Sequence, residues 1–257
     1  MIRGLYTNAL AMTTLINRMD IVTDNIANVE TTGFKRDTSV TRPFSEELLS
    51  RLDDPEDKKY DNTNVGRMSF GIFIDDVITD FSAGGFRHTG TALDLALSGT
   101  GFFAVSTADR TGQSGVKYTR DGSFSLGSDG LLMTTTGNPV LGQDGMIRIP
   151  AGEISIDEDG SIYSNDVLVD KIRIVDFSNP QELRKQQDNL FEATNRALEI
   201  GFAGTVNSGF LENSNVSPIH EMVDMISISR IYDTNQRMIQ VHDTILNRTV
   251  NDVGRKL

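Results

Sequence analysis

Both ends of this chain carry apolar residues at helical spacing. Near the start, a 3-4 spacing, which is the seam of one helix against another, runs through Ile2, Leu5, Ala9, Met12, Ile16, Met19, Thr23 and Ile26. Near the end, a similar rhythm runs through Met225, Ile228, Tyr232, Asn235, Ile239, His242, Leu246, Thr249 and Val253. Each end is therefore predicted to form a long helix.

The C-terminal pattern is wider than one seam. Ile231, Met238, Val241 and Ile245 add a second apolar face, and a helix with two such faces needs more than one partner. The seam also contains polar residues, which cost stability but fix register and partner number. Two interpretations remain open: the terminal helices pack only on one another inside one domain, or they also contact other chains.

The region between the ends is typical of strands and turns. Asp-Gly pairs at Asp121-Gly122, Asp129-Gly130, Asp144-Gly145 and Asp159-Gly160 punctuate short apolar runs, and Asp-Gly is expected to supply the two positive-φ positions of a tight hairpin turn. The predicted fold class is α+β, with the N- and C-terminal helices paired as a coiled-coil-like domain and a central all-β domain of antiparallel hairpins. The predicted divisions are a terminal helical domain (1–34 and 212–257), an extended linker with short strands (35–85) and a β domain (86–211).

The net charge of −12 is unevenly placed. Residues 1–35 are neutral and residues 212–257 carry −1, so the middle carries −11. An acidic body argues against nucleic acid or an anionic membrane as partner, because both attract clustered Lys and Arg. The first residues lack the apolar core of a cleaved secretory signal, and no apolar run is long enough to span a membrane. The neutral ends can stack without strong repulsion.

No residue pattern indicates catalysis, a cofactor or a metal. The chain has no cysteine, its three histidines lie far apart, and no nucleophile elbow, phosphate loop or dinucleotide fingerprint occurs. The run Asp157-Glu158-Asp159-Gly160 resembles part of a calcium loop, but Asp166 stands where a bidentate Glu belongs. The Asp-Gly carboxylates are interpreted as turn residues. The segment from Glu46 to Asp61, around Pro55, is interpreted as an exposed loop or a contact between subunits.

Several motifs carry a family resemblance. The run Asn25-Ile26-Ala27-Asn28-Val29-Glu30-Thr31-Thr32-Gly33-Phe34-Lys35 resembles the N-terminal signature of the bacterial flagellar rod and hook proteins. The runs 93–103 and Tyr118–Phe124 resemble the β-domain landmarks of that family, and the runs 214–216, 221–226 and 230–235 resemble its C-terminal helix. Nearly the whole chain is covered, except the acidic loop. Length and the span from Phe34 to Asp94 resemble distal rod subunits, whereas 137–142 and 215–218 resemble proximal ones.

The resemblance implies a mechanical function rather than a reaction. Subunits of this family are exported without a cleaved signal by the flagellar type III apparatus and polymerise into a helical tube in the basal body. Their terminal helices form the inner wall, and the rod transmits motor torque to the hook. The implied partners are copies of the chain, other rod or hook subunits and the export apparatus, with no nucleic acid and no membrane insertion. A hook subunit or a proximal-rod subunit is the alternative within the family.

The predicted assembly interface combines both helical stripes with the signature residues. It comprises Leu5, Met12, Ile16, Met19, Asn25, Ala27, Asn28, Gly33, Phe34, Asn215, Val216, Met225, Ile228, Tyr232, Asn235, Ile239 and Leu246. Two readings from other classes remain: an exported cell-wall hydrolase that uses Asp or Glu of the β domain, and a β-rich adhesin module. The hydrolase would need carboxylates with divergent pKa values in a cleft, whereas the adhesin would keep its function without either terminus.

Overall fold

A computed structural model of the chain describes residues 2–50, 64–108 and 114–254. Two long α-helices, α1 (Ile2–Ala27) and α2 (Pro218–Gly254), stand at the ends of the sequence. Between them lie two 3-10 turns, Pro180–Glu182 and Gln187–Asn189, and short strands: β1 Asp37–Pro43, β2 Glu47–Ser50, β3 Asn64–Met68, β4 Ile72–Thr79, β5 Phe86–His88, β6 Leu95–Ser98, β7 Phe102–Ala108, β8 Ser114–Thr119, β9 Phe124–Leu126, β10 Leu132–Thr134, β11 Ile154–Ile156, β12 Ser161–Ser164, β13 Val167–Lys171, β14 Ile174–Phe177, β15 Leu183–Lys185, β16 Leu190–Ala193, β17 Glu199–Gly201, β18 Thr205–Ser208 and β19 Phe210–Glu212. The predicted α+β class, with terminal helices and a central antiparallel β region, is confirmed.

The chain divides into two compact units. The helical unit contains Met1–Asp24, Asp37–Ile78 and Ile219–Leu257, and the β unit contains Asn25–Arg36 and Thr79–Pro218. This division differs from the predicted boundaries, because residues 25–34 and 212–218 belong to the β unit and most of the predicted linker belongs to the helical unit. The chain crosses from one unit to the other after residues 24, 36, 78 and 218.

In the helical unit, Leu10 and Thr14 of α1 lie against Gly71 and Ile72, where β4 begins. The Thr14 hydroxyl lies 3.0 Å from the carbonyl oxygens of both Leu10 and Ile72, and a Cβ on Gly71 would lie 2.7 Å from Leu10 Cδ1. The unit also contains two two-stranded sheets, β1 with β4 and β2 with β3. Among the described residues, neither helix has a stretch apolar enough to cross a bilayer.

The β unit is built on a six-stranded sheet in the order β15-β16-β8-β7-β14-β17. Smaller sheets join β11-β12-β13, β9-β10, β6-β18 and β5-β19. Both faces of β7 are buried, because Phe103 and Val105 belong to one hydrophobic cluster while Phe102 and Ala104 belong to another. A strand covered on both faces appears in sequence as a continuous apolar run, as it does here from Phe102 to Val105.

The Asp-Gly turns form by a different mechanism from the predicted one. Gly130, Gly145 and Gly160 take positive φ, but the aspartates before them do not. At Asp159-Gly160, Gly160 N donates to Asp157 O and Asp157 N donates to Ser161 O, which is a type I turn followed by a left-handed glycine. The prediction of two positive-φ positions is therefore wrong for Asp-Gly, whereas Asn165-Asp166 does supply such a pair.

Two sequence predictions in the linker have different outcomes. The strand at 37–43 agrees with the short strands predicted for 35–85, whereas residues 47–50 form a strand within the segment Glu46–Asp61 that was interpreted as an exposed loop. The predicted exposed loop around Pro55 lies largely outside the described residues.

Candidate functional site

Three charged side chains from distant parts of the sequence are fully buried together in the β unit. Lys35 Nζ lies 2.7 Å from Glu212 Oε1, and Arg120 Nε lies 2.9 Å from Glu212 Oε2. None of the three side chains is more than 2% exposed. We call Lys35, Arg120 and Glu212 the charged joint. Buried charges persist only when they are paired and hydrogen-bonded, so the joint requires all three segments in place.

Backbone groups complete the hydrogen bonding of the joint. Lys35 Nζ also donates to the carbonyl oxygen of Ser82 at 2.7 Å, and Glu212 Oε1 also accepts from Gly84 N at 2.9 Å. The two terminal nitrogens of Arg120 donate to the carbonyl oxygens of Gly99 and Gly101. The guanidinium therefore has acceptors of its own apart from Glu212.

The signature residues Gly33 and Phe34 pass directly over the joint. Gly33 N donates to the backbone oxygen of Glu212 at 2.8 Å, and Gly33 has a left-handed φ of 64°. A Cβ at this position would lie 2.5 Å from the backbone C and O of Arg120, so only glycine fits. Lys185 Nζ lies 3.7 Å from the centroid of the buried Phe34 ring and donates to Lys35 O at 2.8 Å.

Polar side chains hold the residues on both sides of Gly33. The Thr32 hydroxyl donates to Asp121 Oδ1 at 2.5 Å, and Asn189 Nδ2 donates to Thr32 O at 3.0 Å. Asn215 Oδ1 accepts from Arg36 N at 2.8 Å, while its Nδ2 donates to Asp80 O at 2.8 Å. The signature segment is thus held by side chains from three other parts of the chain.

Burial dominates the electrostatics of this site. It lowers the pKa of Lys35 and of Arg120, and in both cases the charge and hydrogen bond of Glu212 act in the opposite direction. Burial also raises the pKa of Asp121, against the hydrogen bond from Thr32. Each shift disfavours the charged form, so water exclusion is the larger effect at the joint.

The lowered pKa of Lys35 predicts a pH-dependent stability. Between its folded pKa and the ordinary value of 10.5, the unfolded chain binds the lysine proton and the folded chain does not. The free energy of unfolding of the wild type, minus that of Lys35→Met, therefore rises with pH in this window and is flat below it. Urea denaturation of both proteins at several pH values measures the difference; a difference that falls as pH approaches 10.5 contradicts the prediction.

The structure divides the predicted interface residues into four groups. Gly33, Phe34, Asn215 and Val216 lie around the joint, where Asn215 N is 3.4 Å from Phe34 O. Asn25 and Ile228 are buried, and Ile16 and Ala27 are exposed. The half-buried residues are Leu5, Met12, Met19, Asn28, Met225, Tyr232, Asn235, Ile239 and Leu246.

The two faces predicted for α2 differ in burial within the helical unit. The seam from Met225 to Leu246 is buried or half-buried at every predicted position. The second face remains exposed: Ile231 is 50%, Met238 48%, Val241 51% and Ile245 43% exposed. We call these four residues the outer face of α2.

Sequence reasoning missed the charged joint itself. Lys35 and Arg120 stand inside recognised motifs and Glu212 at a predicted domain boundary, but nothing in the sequence pairs them across such separations. Each of the three stands close to a glycine and an aromatic residue in the sequence, but this signal does not identify its partners. Among the described residues, no cluster of His, Asp or Glu is arranged to hold a metal ion. The arrangement found here holds segments together.

Comparison with known proteins identifies the family. Residues 5–35 match the model for flagella basal body rod proteins, residues 96–164 the D1-domain model of the flagellar hook protein FlgE/F/G, and residues 207–252 the C-terminal model of the basal body rod FlgEFG proteins. These three ranges contain Lys35, Arg120 and Glu212 respectively, so the joint connects all three matched regions.

Full-length relatives agree with these matches. The chain is 32% identical to the flagellar basal-body rod protein FlgG of Bacillus subtilis, over 98% of this chain and 99% of that one. It is 30% identical to the rod protein FlgF of Caulobacter vibrioides over 98% of each. The hook protein FlgE of Borreliella burgdorferi is 33% identical over only 50% of this chain and 28% of that one. The chain therefore belongs to the family of flagellar basal-body rod and hook proteins, as a structural subunit of the rod.

Proposed function

We propose that this rod subunit polymerises through its terminal helices with copies of itself and with other rod and hook subunits. The product is a helical tube that carries motor torque across the cell envelope. Contacts between unlike surfaces, repeated without closing into a ring, generate such a helix. The outer face of α2 is the observation that carries this proposal, because four large apolar side chains at helical spacing stay in water in the single chain.

The proposal includes a coiled-coil-like pairing of α1 and α2 within the assembly domain. Its support is one close approach: a Cβ on Gly4 would lie 2.8 Å from Nε2 of His242. Glycine lets two helices come near each other, and His242 stands in the seam of α2. The nearly neutral terminal segments also permit helices of neighbouring subunits to stack without strong repulsion.

Export through the flagellar type III apparatus, without a cleaved signal, is part of the same proposal and rests on the family resemblance alone. A non-enzymatic role follows from membership of a structural family. The hydrolase reading has no support from the Asp-Gly carboxylates: Asp121 accepts hydrogen bonds from Thr32 and Ser123, and Asp159 accepts them from Ser161 and Lys171. Activity of the purified protein on cell wall would favour that reading instead.

Charge placed on the outer face of α2 tests the assembly proposal. The variant Met238→Glu/Ile245→Glu is expected to abolish rod formation, because burying each unpaired carboxylate in a contact costs several kcal/mol. Both side chains are about half exposed in the single chain, so thermal stability of the monomer should not change. Motility of a complemented deletion strain and electron microscopy of its basal bodies measure the result.

A matched control is Val167→Glu, which changes an apolar residue of the β unit that is 66% exposed. It should leave rods and motility intact. Rods of normal length in the Met238→Glu/Ile245→Glu strain would refute an interface at the outer face.

A further inference from the structure

Glu212 forms ion pairs with two buried cations, Lys35 and Arg120, that come from distant parts of the sequence. Its Oε1 lies 2.7 Å from Lys35 Nζ, its Oε2 lies 2.9 Å from Arg120 Nε, and its backbone oxygen accepts from Gly33 N. Lys35 belongs to the segment that follows α1, whereas Glu212 ends β19 shortly before α2. A residue late in the sequence therefore completes the site in which the segment after α1 docks.

Without Glu212, the two cations would keep different numbers of hydrogen-bond acceptors. Arg120 keeps the carbonyl oxygens of Gly99 and Gly101, which belong to the loop before β7. Lys35 keeps only Ser82 O among its observed partners, and the positive charge of Arg120 opposes its own. Docking the segment 31–36 before Glu212 arrives would therefore bury a second cation beside Arg120 without the carboxylate that contacts both, and only the weaker charge effects of Asp80 on Lys35 and of Asp176 on Arg120 would oppose the loss of water.

Strand pairing also makes the region around the joint depend on the last strands in the sequence, β18 and β19. The six-stranded sheet uses residues between 102 and 201 and needs neither end of the chain. In contrast, β6 (95–98) pairs with β18 (205–208), and β5 (86–88) pairs with β19 (210–212). The part of the β unit on which the signature segment docks is therefore completed by β18 and β19, the last strands in the sequence.

We propose that the charged joint makes docking of the signature segment conditional on β19. In this order the six-stranded sheet forms first, β18 and β19 pair with β6 and β5 next, and residues 31–36 dock last over Glu212. A chain whose residues beyond about 205 are not yet available would leave the segment after α1 unattached. The inference concerns the β unit alone and does not depend on how subunits assemble.

Pulse-labelling hydrogen exchange during refolding of the full-length wild type tests the order. Peptides from 102–108 should gain protection first, and peptides covering 31–36 should gain it together with or after those covering 205–216. Protection of 31–36 before 205–216 would overturn the proposal. This experiment needs no variant, so it remains decisive if a joint variant fails to fold.

Equilibrium exchange of Glu212→Gln tests the coupling. Peptides covering 31–36 and 205–216 should lose protection together and by the same factor, about a hundredfold. During refolding of this variant, peptides from 102–108 should still gain protection at the wild-type rate, because the joint forms after the sheet. Asp159→Asn, which removes the charge of the exposed pair with Lys171, is the control and should change neither the equilibrium protection nor the rate. Loss confined to 205–216, or slower protection of 102–108 in Glu212→Gln, would overturn conditional docking.

Discussion

Replacing Glu212 with Gln is expected to lower the free energy of unfolding of the β unit by about 3–5 kcal/mol. The glutamine keeps the shape of the side chain but leaves Lys35 and Arg120 buried beside it without the carboxylate that pairs with both, so only the weaker charge effects of Asp80 and Asp176 remain. Urea denaturation followed by near-ultraviolet circular dichroism of the tyrosines measures the loss, because the buried Tyr118 lies in this unit.

Removing one of the two cations should be less damaging than removing the anion. Lys35→Met leaves Glu212 paired with Arg120, so the buried charges balance and the main loss is a donor to Ser82 O, worth about 1–3 kcal/mol. Asp159→Asn, at an exposed pair, should have no measurable effect. A larger loss for Lys35→Met than for Glu212→Gln would mean that the anion is not the limiting charge of the joint.

Gly33→Ala is expected to destabilise the β unit strongly, through two separate effects. An alanine at a left-handed φ of 64° costs about 1–2 kcal/mol by itself. Its Cβ would also lie 2.5 Å from backbone atoms of Arg120 and Asp121, which cannot rotate away as a side chain can. The clash adds about 1–3 kcal/mol, and thermal or urea denaturation would give the total.

A second glycine separates the two contributions. Gly137 has a φ of 88°, and a Cβ there would meet no atom within 4 Å. Gly137→Ala should therefore show only the conformational cost. Equal destabilisation by Gly33→Ala and Gly137→Ala would disprove the close approach of the signature segment to Arg120.

The sequence predicted the elements that local chemistry determines. Helical periodicity identified α1, α2 and both faces of α2. In the β unit, Asp-Gly marked turns correctly at Gly130, Gly145 and Gly160. Gly122 is different, because it approaches Leu95 so closely that a Cβ would lie 1.7 Å from the Leu95 oxygen.

Contacts between distant residues were beyond sequence reasoning. On α1, the predicted seam is at most half buried. The neighbouring face of the helix, which contains the small residue Thr14, contacts the carbonyl oxygen of Ile72 instead. A hydroxyl at helical spacing gives no sign of which strand it will contact. The charged joint has the same cause: Lys35, Arg120 and Glu212 each look ordinary, and only the fold gives them a shared position.

The path of the chain between its two units has a mechanical consequence. Because the backbone passes between them after residues 24, 36, 78 and 218, a force that separates the units is divided among four covalent connections. A single tether would bear the whole load. In a shaft that turns under stress, neither unit of such a polypeptide could be lost by the failure of one connection.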